Sequence, residues 1–138
     1  MDIKYYYKTS VGKVVELGQQ KELRLWSKNI IELVIPDGCE IVDCAYNQLK
    51  EFIIPDGCEI VWCENNQLKE LIIPDGCGYV SCRNNQLTEL IIPDGCEYVS
   101  CWNNQLKELV IPDGCECVWA DMKSITELNK VEELNLWI

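Results

Sequence analysis

Prolines stand at 36, 55, 74, 93 and 112 and nowhere else, an unbroken spacing of 19 residues, and each opens the tetrapeptide Pro-Asp-Gly-Cys. Between these turns a second pattern repeats, written out from Cys58 to Gly76 as CEIVWCENNQLKELIIPDG. A unit this short cannot bury its apolar face alone, but it can do so by stacking on copies of itself. The chain is therefore expected to be a solenoid.

Counting one coil from its first cysteine places Cys58, Val61, Cys63, Asn66, Leu68, Leu71 and Ile73 at positions 1, 4, 6, 9, 11, 14 and 16. Positions 3 to 7 alternate apolar and polar as a half-buried strand does. Stacked coils should then align these strands into a parallel sheet, with neighbours about 4.8 Å apart. Asn47, Asn66, Asn85 and Asn104 recur at position 9 and should form an inward ladder. A buried amide must be satisfied, and it can bond the free backbone groups where each coil bends. Pro-Asp-Gly supplies the next corner, with glycine able to take a positive φ. A 19-residue coil leaves no room for a helix, so the side opposite the sheet should be extended.

The ends depart from the repeat, as terminal coils exposing core and strand edges must. Leu23, Leu25, Ile30, Leu33 and Ile35 form a degenerate first coil with Lys28 in the asparagine slot. Ile3 to Tyr7 and Val11 to Leu17 read as two strands of a hairpin. At the other end Ala120 and Lys123 replace the cysteine and asparagine. Val131, Leu134 and Leu136 then repeat the strand pattern after a shortened coil. The expected organisation is a hairpin cap over 1–18, a solenoid over 19–128 and a capping strand over 129–138.

The coil spacing reads LxxLxLxxNxLxxLxI, which resembles the leucine-rich-repeat family with cysteine at positions 1 and 6. The resemblance runs from about Leu23 to Leu136. It implies a right-handed superhelix with a parallel β-sheet on one face, a helix-free convex side and weak curvature. The short period and the Ile-Pro turn look like helix-free repeats of some bacterial effectors. The cysteine-bearing form is similar to arrays in large amoeba-infecting DNA viruses of the Marseillevirus group, which implies a viral protein.

Ten cysteines in a secreted chain of this length would suggest a disulfide framework. MDIKYYYKTS has no apolar core of a leader peptide, so a reducing, intracellular setting is expected: cytoplasm, or the host cell and virion if the chain is viral. Cys39, Cys44, Cys58, Cys63, Cys77, Cys82, Cys96 and Cys101 fall at the inward positions 1 and 6, and Cys115 starts a further coil. They are read as small hydrophobes filling a narrow core. Parallel stacking aims neighbouring Cβ vectors the same way, which suits a disulfide torsion poorly. The uniform C-x4-C spacing, with no histidine and no C-x2-C pair, argues against a zinc site. No metal or cofactor is expected. Cys117 falls at outward position 3 as an exposed thiol.

Outward positions carry the large aromatics. Trp26, Trp62, Trp102 and Trp119 occupy positions 5 or 7, and Trp137 joins them if the last coil is registered on Val131. Tyr79 and Tyr98 occupy position 3, and Tyr46 position 8. Arg24 and Arg83, with Asp43, Glu64, Asp121, Asn65, Asn84 and Asn103, give these aromatics a polar setting. Cross-strand packing would account for some of them, at roughly 0.2–1 kcal/mol per pair. Their alternation between columns instead points to an interaction surface, since Trp, Tyr and Arg anchor interfaces.

A net charge of -11 and pI near 4.4 argue against nucleic acid and anionic membrane as partners. Glutamates at position 13 and aspartates in the turns form columns, but the glycine-rich calcium repeat is absent. Without histidine, triads and the usual general base are excluded, and no phosphate loop occurs. The chain is thus expected to be a non-enzymatic module binding a protein partner through Trp26, Tyr46, Trp62, Glu64, Tyr79, Arg83, Tyr98, Trp102 and Trp119. A self-associating structural role, as a homodimer or virion component, is the alternative. A thiol-based metal or redox protein is the third reading.

Overall fold

A computed structural model describes residues 3–121, 123, 125–130 and 135–137, with the backbone alone at 130 and 135–137. Thirteen strands follow one another, with no helix among the described residues. In chain order they are β1 (Tyr6–Thr9), β2 (Val14–Glu16), β3 (Glu22–Arg24), β4 (Ile30–Val34), β5 (Ile41–Asp43), β6 (Ile60–Trp62) and β7 (Tyr79–Ser81). The series continues with β8 (Glu89–Ile91), β9 (Tyr98–Ser100), β10 (Glu108–Ile111), β11 (Cys117–Trp119), β12 (Glu127–Lys130) and β13 (Asn135–Trp137).

The chain is a helix-free β-solenoid of stacked 19-residue coils. Positions 3–5 of successive coils make a seven-stranded parallel sheet in the order β13-β11-β9-β7-β6-β5-β3. Val42, Val61 and Val80 face one another across it, each partner one coil on. The last rung differs: Val118 pairs with Leu136, and Trp119 with Trp137. That puts Leu136 at position 4 and Trp137 at position 5, where registration on Val131 had placed them at positions 6 and 7. β12 still pairs Glu127 with Glu108 in the 19-residue register, so the lost residue falls within 131–134, where no Pro-Asp-Gly occurs. Val131 and Leu134 lie outside the described residues.

The opposite side is extended, but it is more than a connection. The segments that begin Glu-Leu at position 13, followed by Ile, Val or Asn, form a second parallel sheet, β12-β10-β8. Extended backbones stacked in register have their N–H and C=O groups aimed at the next coil, and three of them close that ladder. Residues 51–54 and 70–73 occupy the same positions in earlier coils and are not strands. At the N-terminal end β1 pairs antiparallel with both β2 and β4, so a hairpin lies against the first coil.

The core between the two sheets follows the repeat. Val42, Val61, Val80, Leu49, Leu68, Leu87 and their equivalents are fully buried, each worth about 1.5–3 kcal/mol in area removed from water. All ten cysteines are free thiols, nine of them buried and Cys117 half-buried. The position-1 sulfurs sit over backbone carbonyls, as Cys58 does over Glu40 and Ile60 at 3.6 and 3.4 Å. Burial pushes the Cys44, Cys63 and Cys82 thiols well up, and those of Cys96 and Cys101 up to about 12. Cys58 is raised first by its hydrogen bond with Cys77 and then by burial.

Asparagine at position 9 staples adjacent coils. Asn85 Nδ2 donates to the carbonyls of Cys63 and Cys82 at 3.1 and 3.0 Å, while its Oδ1 accepts the N–H of Leu68 at 3.0 Å. Asn47, Asn66 and Asn104 repeat this arrangement. The amide thereby closes backbone groups of two coils at the bend, where sheet pairing stops. Lys28, in the same slot of the first coil, instead donates its backbone N–H to Asn47. The other corner is a type II turn with proline at its first position: Cys77 N–H reaches Pro74 O at 3.3 Å, and Gly76 holds φ at 86°.

Candidate binding face

The seven-stranded sheet turns positions 3, 5 and 7 outward, and three of the aromatics pack together there. The Trp62 and Tyr79 rings meet edge to face at 6.3 Å, and Tyr79 and Tyr98 lie tilted at 6.1 Å. These separations are those of attractive quadrupole pairs. The Arg24 guanidinium stands over Trp62 at 5.4 Å while pairing with Glu22 at 3.3 Å. At the far end the Tyr98 hydroxyl donates to Glu116 Oε2 at 2.7 Å, and that bond to a carboxylate raises the tyrosine pKa. A continuous band thus runs from Arg24 through Trp62, Tyr79 and Tyr98 to Glu116.

Trp26, Trp102 and Trp119 do not join this band. Trp26 is 59 % exposed and Trp102 43 %, and neither meets another ring among the described residues. Trp119 is exposed at the C-terminal side of the sheet, and its backbone pairs with that of Trp137. The candidate face therefore divides into a packed centre and flanking free tryptophans.

Position 8 has a different meaning from position 7. Ser27, Tyr46, Asn65, Asn84 and Asn103 all hold φ between 55° and 58°, the left-handed region where asparagine is the best-tolerated side chain after glycine. Asn103 Nδ2 donates to Asn84 Oδ1 at 2.8 Å and Asn84 Nδ2 to Asn65 Oδ1 at 3.1 Å. The three asparagines are thus a bend with its own side-chain ladder, and their residue type follows from the backbone. The ladder ends at Asn65, whose buried Nδ2 has no partner because Tyr46 occupies the next rung. Beside it, Glu64 Oε2 is also buried and unpartnered. Arg83, the next residue in the position-7 column, is exposed and forms no ion pair with it among the described residues.

On the opposite side of the solenoid lies a feature the sequence reading passed over. Position 15 points outward there, so Val34, Ile53, Ile72 and Ile91 form an exposed column. The signal was present in the alternation of Glu-Leu-Ile-Ile, where positions 13 and 15 share a face.

The cysteine ladder offers little chemistry as arranged, since protonated, buried thiols are poor nucleophiles and poor ligands. No group of three Cys, Asp or Glu side chains is arranged to hold a metal ion among the described residues. Among the described residues no helix is long and apolar enough to cross a membrane. In comparisons with protein-family models, with curated proteins and with solved structures, nothing matches.

Proposed function

We propose that this chain is a non-enzymatic interaction module that binds a protein partner through the outer face of its seven-stranded sheet. The observation that carries the reading is the pair of exposed, unpacked tryptophans, Trp26 and Trp102, flanking a preorganised aromatic centre. Rigid aromatic side chains lose little entropy on binding and bury a large area, so they anchor interfaces. Two further features favour the same face. Tyr46 occupies a left-handed position at a steric cost, which a side chain needed outside would explain. Arg83, exposed and without an ion pair among the described residues, offers its guanidinium fork to a partner's carboxylate.

The likeness to leucine-rich repeats fits this reading, because stacked coils produce an extended, regular surface suited to another protein. A viral origin and an intracellular, reducing location belong to the same proposal, the first supported by the resemblance and the second by the ten free cysteines. The test is a pull-down with purified protein from the native cellular context, comparing wild type with Trp26→Ala/Trp102→Ala. The double variant should unfold at the same denaturant concentration as wild type, and partner capture should be lost. Undiminished capture by the folded double variant overturns the reading.

A further inference from the structure

The second face, away from the tryptophans, carries a column of exposed aliphatic side chains. Ile53 and Ile72 are 85 % and 84 % exposed, and Val34 and Ile91 extend their column by one coil on each side. Strand propensity explains a β-branched residue in β4 or β8. It does not explain Ile53 and Ile72, which lie in segments that form no strand. A groove of about 620 Å³ opens beside them, floored by Leu33, Phe52 and Ile54. Further along, the column ends: Val110 is half-buried and Asn129 takes the next place.

Carboxylates rim this groove. Glu51 and Glu70 line one side of it and Asp56 the other, and Glu32 and Glu89 continue the glutamate column on either end. Lys50 and Lys69 are their chain neighbours but form no ion pair with them among the described residues. The rim therefore remains anionic. Two copies of a chain with net charge -11 would bring these columns face to face, so the groove is ill suited to a second copy of itself. It suits a ligand with an apolar ridge between cationic flanks. Four coils span roughly 15 Å at 4.8 Å per step, the length of about ten helical residues.

We propose that the groove around Ile53 and Ile72 docks a basic amphipathic segment of a partner protein, its apolar stripe on the isoleucine column and its Lys or Arg side chains on Glu51, Glu70 and Asp56. This site is independent of the aromatic face, and the two can fail separately. Apolar anchors provide the contact area, while the carboxylate rim selects charge sign and speeds encounter.

The probe is a synthetic helical peptide of leucine and lysine, about four turns long, titrated calorimetrically into the intact protein. Its leucine–glutamate counterpart is the sign control. The lysine peptide should bind with micromolar affinity that weakens with added salt, and the glutamate peptide should not bind. Ile53→Ser/Ile72→Ser should weaken binding by about tenfold or more, and Glu51→Gln/Glu70→Gln should flatten its salt dependence. Trp26→Ala/Trp102→Ala should leave the affinity unchanged. All three changed pairs are solvent-facing, and unchanged denaturant midpoints will show that the fold is retained. Equal binding of the two peptides overturns the proposal, as does equal affinity of the isoleucine variant. A peptide-free wild-type dimer that the isoleucine changes convert to monomer also overturns it, by showing a second copy to be the occupant.

Discussion

At position 8 of five coils the backbone passes through the left-handed region; three of them meet this with asparagine, and the other two carry Ser27 and Tyr46. A non-glycine residue there costs about 1–2 kcal/mol, least for asparagine. Tyr46→Asn should therefore stabilise the protein by about 1 kcal/mol, as read from urea denaturation. It would relieve the bend and give Asn65 Nδ2 the acceptor it lacks. An unchanged or lower midpoint would show that the tyrosine is not strained. Asn85 presents the opposite case. Asn85→Ala strands the N–H of Leu68 and removes one of the two amide donors from the carbonyls of Cys63 and Cys82, which keep Asn66 and Asn104, and should cost about 1–3 kcal/mol in the same assay. The inward role of Asn85 was legible from its period and from the rule that buried amides need partners. The left-handed bend beside it was not, because asparagine at position 8 reads equally well as an exposed polar residue until φ is known.

Elements are set by how each bend closes. In the Pro-Asp-Gly corner the φ of 86° at Gly76 leaves space for a Cβ but no comfortable backbone, whereas Gly78 has an ordinary φ and would place a Cβ 3.9 Å from Glu59 O. Gly76→Ala should thus destabilise by about 1 kcal/mol, and Gly78→Ala should be neutral or slightly stabilising, each measured by chemical denaturation. Equal effects would remove the turn assignment. Strands alternating with such corners were readable from the spacing of Val61, Cys63 and Leu68, although the alternation runs over positions 3 to 7 and the strands end at position 5. The second sheet was less so. Glu-Leu-Ile-Ile is nearly the same string in successive coils, yet residues 89–91 form a strand and residues 70–73 do not. That difference arises from stacking between coils, which no single coil's sequence contains. The register of β13 was misplaced for a related reason: without a Pro-Asp-Gly marker after Lys130, apolar spacing alone leaves the last coil's length open.

For the whole molecule, stability in a solenoid is close to a sum of coil and interface terms, and the cysteine ladders run through the interfaces. Their thiols are neutral in the folded state and raised by burial. Unfolding frees them to ionise above the ordinary value of 9.0. Stability should hold below pH 9 and then fall as pH rises towards about 12, the folded value for Cys101. Each fully buried thiol contributes a slope of at most about 1.4 kcal/mol per pH unit. Cys101→Ala, which copies the residue nature places at Ala120, should make the decline shallower when urea midpoints are followed from pH 7 to 11. An unchanged slope would mean that this thiol does not titrate on unfolding.

One 19-residue register sorts the side chains, taking nine cysteines to the core and leaving two outer faces for the contacts proposed. Counting reactive thiols with a chromogenic disulfide reagent at pH 8, in the native and denatured protein, tests it most directly. The register predicts ten thiols in denaturant without reductant and, in the native state, reaction confined to Cys117, the one cysteine not fully buried. Several rapidly reacting thiols in the native protein, or fewer than ten after unfolding, would contradict it.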